Sequence, residues 1–483
     1  ANTAPQSAAA VVPILNSRPN ATAVLYLDFD GEIVNDSDWS DTPIVAEPAR
    51  LTSTQIKETW ARVKEDYLPF NINITTDVTR YYAAPIGHRM RCIVTPTNKW
   101  LKSSSVGGIA LLGSFSDGGS FYSSTVPCWA FATSDPKDCA EVIAHEAGHT
   151  FGLSHDGTTS EEYYEGHGNG PLGWAPIMGA GYYEGITQWS KGEYPFANNT
   201  ENDLAIISSG TNGFGYAASD AASSIATATQ IFPTNGRFSQ DAFIGKTGEI
   251  DFYKIDVESP GPFAVTATPV VPGGNMAAYV KLYRSDGSIV AGSPFSSTPA
   301  ASVTTDISPG IYYVSVQGTG KTASGSDFGF TNYGSIGGYH LDAGTPIITF
   351  QPDIVAGKNP TAGRDHYGNE VQRLVVKVRN TKSIHVPISI TNVGANSDSF
   401  HLRAGNLIGY KFRVILRSRD ITTAIRHSGY FSEAIAASAS LNMTLIIHPS
   451  KPVRTKSRLK LDAISIGDGS KSDTIIIELQ PKK

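Results

Sequence analysis

The chain has 483 residues, of which 40% are hydrophobic and 17% are charged, and it carries 47 glycines and a formal net charge of −6 at pH 7. This length predicts about three domains, and the composition excludes a disordered or collagen-like chain. No apolar run reaches the length of about 18 residues that a transmembrane helix needs.

The charge is distributed unevenly along the chain. Residues 351–483 hold 20 Lys+Arg and 10 Asp+Glu, a balance of +10, whereas residues 1–350 hold 18 and 34, a balance of −16. A basic C-terminal region would suit contact with anionic glycans or a cell surface. Its charges stand singly along alternating strands, however, which favours a solvated strand face. We expect no nucleic-acid partner.

The first residues and the cysteines bear on the compartment. The chain starts Ala1-Asn2-Thr3, without Met and without a basic segment followed by an apolar one. This start predicts a secreted, extracellular protein whose signal peptide has been removed. Three cysteines are too few for a disulfide scaffold. If one bridge forms, Cys128 and Cys139 are its expected partners and Cys92 is a buried strand residue; three reduced, buried thiols are the alternative.

The patterning divides the chain into four segments. Residues 1–20 are rich in Ala, Pro, Asn and Ser and predict an irregular arm. Residues 21–222 mix strand-like runs with an amphipathic helix, which predicts an α/β (α+β) domain. Residues 223–346 and 347–483 contain alternating strands separated by turns, which predicts two all-β sandwiches, the second immunoglobulin-like and basic. The helix is indicated by apolar residues at helical spacing, namely Ile56, Trp60, Val63 and Tyr67.

The segment with the clearest chemistry runs His-Glu-Ala-Gly-His-Thr-Phe-Gly-Leu-Ser-His-Asp from residue 145 to residue 156. His145 and His149 are four residues apart, so a helix places both imidazoles on one face. Gly152 can adopt a backbone conformation that lets the chain leave the helix and bring His155 to the same point. Three histidines leave one zinc position open, as in catalytic sites. Glu146 is the expected general base on the zinc-bound water.

This segment resembles the metzincin signature, in the form found in adamalysin-like and gametolysin-like zinc metallopeptidases. The resemblance covers roughly residues 20–215 and implies a metzincin-like catalytic domain. It also implies that Met178, in Ala175–Gly179, forms an apolar floor under the ligands and that Asp156 braces the site. Residues 223–346 resemble the bacterial pre-peptidase C-terminal domain, through the Asp-Phe-Tyr run at 251–253, the turn after Tyr283 and the Pro-Gly-Ile-Tyr-Tyr-Val run at 309–314.

The resemblance also indicates where a substrate would bind. The run from Gly107 to Gly113 resembles the edge strand above the metzincin cleft, and an ordinary buried strand is the alternative. Some family members carry a Tyr two residues after the Met, but this chain has Ala180 there, which puts a catalytic tyrosine in doubt. The predicted substrate-binding residues are Gly108, Ile109, Ala110, Leu111, Tyr182 and Tyr183. His167 is a further histidine near the motif, expected to be exposed.

The sequence therefore predicts a secreted endopeptidase with one catalytic Zn²⁺. Its substrates would be extracellular proteins, including glycoproteins such as those with mucin-type O-glycans. No spaced loop of oxygen ligands indicates calcium at Asp28, Asp30 or Asp117. Two alternatives stay open: a surface-binding or adhesive protein with an incidental peptidase domain, and a zinc amidase that acts on a non-protein amide. We also expect a fragment that ends near residue 222 to retain cleavage activity.

Overall fold

The computed structural model describes residues 11–101, 106–131, 134–234, 236–294, 296–325, 327–345, 350–358, 362–363, 372–378, 382–449 and 456–481. The chain forms two compact units, Ala1–Thr345 and Pro346–Lys483. Among the described residues, no helix is both long enough and apolar enough to cross a membrane.

The first part of unit one is built on a five-stranded sheet in the order β4-β1-β5-β7-β6. Its strands run parallel except β6, which lies antiparallel to β7 at the edge of the sheet. Short pairs β2–β3 and β8–β9 flank it. The strands are β1 (Ala23–Asp28), β2 (Glu32–Val34), β3 (Ile44–Ala46), β4 (Ile72–Thr75), β5 (Arg89–Val94), β6 (Gly108–Ile109), β7 (Cys128–Ala130), β8 (Trp174–Pro176) and β9 (Ile186–Gln188).

The helices of this part follow their sequence signals. The predicted amphipathic helix is α1, and it starts at a capping box in which Thr52 and Gln55 satisfy each other's backbone N–H groups. It packs against α4 on the sheet. The helices are α1 (Ser53–Asp66), α2 (Val78–Ala83), α3 (Ser114–Asp117), α4 (Pro136–Thr150) and α5 (Asp203–Ile207).

The three cysteines are free and buried, so the disulfide between Cys128 and Cys139 does not form. Cys92 and Cys128 instead face each other in register on β5 and β7. Cys139 lies on α4, where burial raises the pKa of its thiol to about 12. All three thiols thus belong to the hydrophobic core between sheet and helix.

The second part of unit one is a β-sandwich. Its two sheets have the orders β10-β12-β17-β14-β15 and β11-β18-β13-β16. Inward residues alternate with outward ones along most of these strands, as a sandwich requires. The strands are β10 (Thr229–Gln230), β11 (Arg237–Ile244), β12 (Ile250–Val257), β13 (Gly261–Pro269), β14 (Ala278–Arg284), β15 (Ile289–Gly292), β16 (Ala301–Ile307), β17 (Gly310–Gly318) and β18 (Gly337–Gly344).

The two parts of unit one share one continuous core. Buried polar contacts cross between them: Gly338 N–H donates to Glu65 Oε1 at 2.6 Å, and Asn275 Nδ2 donates to Asp66 Oδ1 at 2.7 Å. Burial raises the pKa of Glu65 to about 7. The patterning change near residue 222 therefore lies inside a single compact unit.

Unit two contains two five-stranded sheets, in the orders β19-β21-β26-β23-β24 and β20-β28-β27-β22-β25. They enclose a separate hydrophobic core. The elements are β19 (Pro352–Ala356), β20 (Gln372–Val378), β21 (Ile384–Asn392), β22 (Phe400–Ala404), β23 (Tyr410–Leu416), β24 (Arg419–Asp420), α6 (Thr422–His427), β25 (Tyr430–Phe431), β26 (Ser440–Pro449), β27 (Ser457–Ser465) and β28 (Ser472–Pro481).

Candidate metal centre

Helix α4 and the turn after it bring three imidazoles together. Asp135 caps the helix by accepting from Lys137 N at 2.8 Å, and Pro136 occupies its first turn, a position that tolerates a missing N–H. The helix ends at Thr150, and Gly152 follows with φ +105°, a conformation that glycine adopts without strain. The turn swings the next histidine back toward the helix. The ligand nitrogens of His145, His149 and His155 lie within 4.8 Å of one another.

The second nitrogen of each ring is already engaged. His145 Nδ1 lies 3.0 Å from Ile177 O, and His149 Nδ1 lies 2.7 Å from Leu153 O. His155 Nδ1 lies 3.1 Å from Glu162 Oε1. Carbonyl and carboxylate oxygens only accept, so each Nδ1 carries the hydrogen of a neutral ring and each Nε2 is left as a metal ligand.

The electrostatic surroundings keep the rings neutral. Burial, helped by the neighbouring imidazoles, lowers the pKa of His145 to about 3, and burial lowers that of His149 to about 4. The pKa of His155 is also lowered, chiefly by burial. Three neutral nitrogen donors with oriented rings are what zinc requires, so these residues fit a zinc ion.

Glu146 lies beside this cluster and against the edge strand. The residue is 6% exposed, and desolvation raises the pKa of its carboxyl group to about 8. The positive charge of a bound zinc ion would lower this pKa and favour the carboxylate form that a general base needs. A Cβ atom added at Gly108 would lie 2.5 Å from both Cγ and Oε1 of Glu146. The Glu146 carboxylate can therefore lie against β6 only because residue 108 is a glycine and has no side chain.

The Met178 side chain is fully buried under helix α4. A Cβ at Gly148 would lie 2.5 Å from its sulfur, so the glycine between the two helical histidines permits this approach. The Met178 carbonyl accepts from Asp156 N at 2.8 Å, which ties the residue after the third histidine to this turn. Asp156 is buried as well, and burial, followed by the nearby Glu201, raises its pKa to about 7.

The predicted substrate-binding residues differ in where they lie in the fold and in how far they are buried. Gly108 and Ile109 form β6, while Ala110 and Leu111 continue the chain just beyond it and are half-buried. Tyr182 is half-buried against the core, and Lys137 Nζ donates to its carbonyl at 2.9 Å. Tyr183 is 95% exposed. Of the two tyrosines, only Tyr182 packs beside the helix that carries the histidines.

Tyr163 is an aromatic side chain that sequence reasoning did not assign to the cluster. Its ring centroid lies 4.4 Å from that of His155 and 5.9 Å from that of His145. His167, expected to be exposed, is buried against Trp174. Both residues lie in the connection that follows helix α4, outside any helix or strand, so no secondary-structure period relates them to the zinc motif and only the path of the loop places them. Their sequence signal is limited to their closeness to the motif.

Comparison with known proteins supports this chemistry. Residues 80–190 match the family model Reprolysin_5, described as Metallo-peptidase family M12. A search of curated proteins found no match to the chain.

Solved structures are similar at low identity. The Vibrio cholerae VesB protease is 11% identical, with 42% of this chain and 62% of that chain covered and a TM-score of 0.16. The CupB6 tip adhesin from Pseudomonas aeruginosa is 11% identical, with 51% of this chain and 91% of that chain covered and a TM-score of 0.18. WR4, a C. elegans MSP family member, is 10% identical, with 22% of this chain and 92% of that chain covered and a TM-score of 0.15. Such scores do not define the fold. The similarity to M12 metallopeptidases, a zinc-dependent family, rests on the family model alone and covers residues 80–190, the segment that carries the three histidines.

Proposed function

We propose that the protein is a secreted, zinc-dependent endopeptidase in which His145, His149 and His155 hold the metal and Glu146 is the general base. One observation carries the proposal: three neutral imidazoles converge, each with its second nitrogen engaged, beside a buried carboxylate. The match of residues 80–190 to the M12 model supports the same class of reaction.

The residues of the site have separate tasks in this mechanism. Zinc, when bound, supplies a Lewis acid that polarises a carbonyl and lowers the pKa of water to about 7. The imidazoles hold the ion, and their Nδ1 contacts orient the rings. Glu146 takes a proton from the attacking water and returns it to the departing amine. Its burial limits exchange of that proton with bulk solvent.

The edge strand is the proposed platform for the substrate backbone. Strand β6 ends the five-stranded sheet, so one of its edges faces away from β7. An extended peptide can pair with such an edge through main-chain hydrogen bonds, which accommodates varied side chains. Gly108 and Ile109 would present that backbone, and Ala110 and Leu111 would extend it beyond the end of the strand. The closeness of Gly108 to the Glu146 carboxylate supports this arrangement.

The test of the reaction separates chemistry from metal retention. Glu146→Gln keeps the size of the side chain and loses the base, so the variant should retain about one zinc per chain and lose nearly all cleavage of a denatured protein. His149→Ala should lose zinc and activity together. Glu161→Gln changes an exposed carboxylate nearby and serves as the matched control. Near wild-type cleavage by zinc-loaded Glu146→Gln would refute the mechanism, and a zinc-loaded wild type that cleaves no protein would favour an adhesive protein or an amidase.

Glycoproteins with mucin-type O-glycans are the substrate class that we propose. The support is exposed aromatic surface, since Tyr163, which packs on the ligand rings, is 38% exposed and Tyr183 is 95% exposed, and sugars pack on aromatic faces. Cleavage of a mucin-type substrate should slow after its O-glycans are removed enzymatically. Equal rates before and after removal would contradict this preference.

A further inference from the structure

The loop after the third histidine folds back over the metal centre. Tyr163 packs on two of the three ligand rings, at 4.4 Å from His155 and 5.9 Å from His145. Among the described aromatic side chains, it is the one besides the histidines themselves that contacts the ligand rings. It is also 38% exposed, so its ring borders both the cluster and the solvent from which a substrate arrives.

The backbone next to Tyr163 is held on both sides. Tyr164 N donates to Asp156 O at 2.8 Å, and Ala180 N donates to Tyr164 O at 3.0 Å. These bonds join the loop to the residue after the third ligand and to the turn after Met178. The position of Tyr163 is therefore set by the same segments that orient the metal ligands.

The neighbouring side chain points into the protein and links the loop to the sandwich. The Tyr164 ring stacks on Tyr194 with centroids 4.4 Å apart and an interplanar angle of 8°. Its hydroxyl lies 2.9 Å from His167 Nδ1, and His167 Nε2 lies 2.6 Å from Gly329 O. Gly329 lies in the connection between β17 and β18 of the sandwich.

The carbonyl of Gly329, at the end of this hydrogen-bond chain, determines which atom of each pair is the donor. The Gly329 carbonyl can only accept, so His167 Nε2 carries the hydrogen and donates it. Nδ1 of the neutral ring then accepts from the Tyr164 hydroxyl. Because His167 is buried against Trp174 and Phe328, the chain is shielded from competing water. The sandwich thereby fixes the side chain adjacent to Tyr163.

A hydrogen-bond donor is needed at such a site. Peptide hydrolysis develops negative charge on the scissile carbonyl oxygen, and a fixed donor stabilises that charge. The Nδ1 hydrogens of the ligand histidines are directed to their own acceptors, and Glu146 as a carboxylate only accepts. The phenol of Tyr163 is a donor on a side chain packed against the ligand rings. Its hydroxyl has the exposed Glu162 carboxylate as a hydrogen-bond partner, so donation to a substrate oxygen requires it to turn away from Glu162.

We propose that Tyr163 is a catalytic residue that donates its phenolic hydrogen bond to the developing oxyanion of the substrate. We further infer that His167 is a positioning residue through which the sandwich, at Gly329, holds the loop that carries Tyr163. The phenol keeps its proton throughout, so no group is transferred. This inference rests on the proposed peptidase function and adds to it a donor and a role for the sandwich.

The first test removes only the phenolic hydroxyl. Tyr163→Phe in the full chain should lower kcat on a quenched fluorescent peptide about 100-fold, with KM within about twofold and zinc content unchanged. A phosphinic peptide that mimics the tetrahedral state should bind more weakly by a similar factor, because it makes the lost bond. Tyr82→Phe, at an exposed position on α2 outside the proposed site, is the matched control and should cleave like the wild type.

The second test asks whether His167 acts through Tyr163. His167→Phe keeps an aromatic ring between Trp174 and Phe328 and loses both hydrogen bonds, so kcat should fall about tenfold through misplacement of the loop. The double variant should be no slower than Tyr163→Phe alone, because the two act as one unit.

The outcomes are distinguishable. A wild-type kcat for Tyr163→Phe overturns the catalytic role while leaving the peptidase function intact. Multiplied losses in the double variant, or a lowered melting temperature with unchanged kcat for His167→Phe, overturn the positioning role. A zinc-loaded wild type without peptidase activity overturns the proposed function and this inference together.

Discussion

Gly108→Ala is expected to disable the site by adding a single methyl group. The new Cβ would lie 2.5 Å from Cγ and Oε1 of Glu146 and 2.6 Å from the carbonyl oxygen of Trp129. Real Cβ atoms essentially never approach other heavy atoms more closely than 3.0 Å, so atoms must move by about half an ångström or more. The Trp129 carbonyl belongs to β7, the strand paired with β6, and moves little. The two-residue strand β6 must therefore shift away from the carbonyl, and Glu146 must yield as well.

The magnitude follows from the required displacement. Moving a catalytic group by about 1 Å costs up to about 100-fold in rate, which corresponds to about 2.7 kcal/mol of activation free energy. We expect kcat of Gly108→Ala to fall between about tenfold and 100-fold. Overpacking of this kind also costs about 1–3 kcal/mol of stability. Zinc binding should persist, because none of the three histidines is among the atoms that the methyl group meets.

Gly107→Ala is the matched control for this prediction. A Cβ at Gly107 would meet only side-chain atoms, Val142 Cγ2 at 3.3 Å and the Tyr182 hydroxyl at 3.4 Å, and both can adjust. Its kcat should stay within about threefold of the wild type. The assay is peptide cleavage with zinc content and melting temperature measured on the same samples. If Gly108→Ala retained wild-type kcat, the placement of Glu146 under β6 would be refuted.

Two further predictions concern the junction inside unit one. The shared core reverses the expectation from the sequence that a fragment ending near residue 222 retains cleavage activity. Such a fragment should fail to melt cooperatively, because it exposes the shared core and leaves the buried Glu65 without its Gly338 donor. Cooperative melting by circular dichroism together with cleavage would contradict this and support the expectation from the sequence. Burial raises the pKa of Glu65 from 4.5 to about 7, so the folded state binds more protons between these values and stability falls as pH rises through that range. Glu65→Gln should flatten this slope, worth up to about 3 kcal/mol, in melting temperatures measured from pH 5 to pH 8. An unchanged slope would show that Glu65 does not titrate there.

Features of the fold and the site that depend on local residue spacing could be predicted from the sequence. Helix α4 begins at two local sequence signals, the capping Asp135 and Pro136 in its first turn, and the four-residue spacing of His145 and His149 puts both rings on one face. The turn at Gly152 needs a positive φ that glycine readily supplies, and it has one. The convergence of the three imidazoles was therefore predictable from residues 145–155, as were the α1 helix and many of the strands.

Other features depend on contacts between distant segments. The sequence change near residue 222 predicts a domain boundary, and the structure continues one core across it, because burial depends on which faces meet. The two thiols that face each other lie on β5 and β7, since strand register pairs them across the sheet. The β6 strand itself is two residues long, and the rest of the predicted edge run leaves the sheet.

Some residues around the metal centre could likewise be predicted from local spacing, whereas others are placed there only by tertiary contacts. The convergence of His145, His149 and His155, with Glu146 beside them, could be predicted from the sequence alone, since helical periodicity and one glycine turn determine where they point. Only tertiary structure decided that Tyr163, and neither Tyr182 nor Tyr183, packs on the ligand rings. It also decided that His167 reaches Gly329, 162 residues further along the chain. No local period relates such positions, so their contacts arise only when the loop and the sandwich pack together.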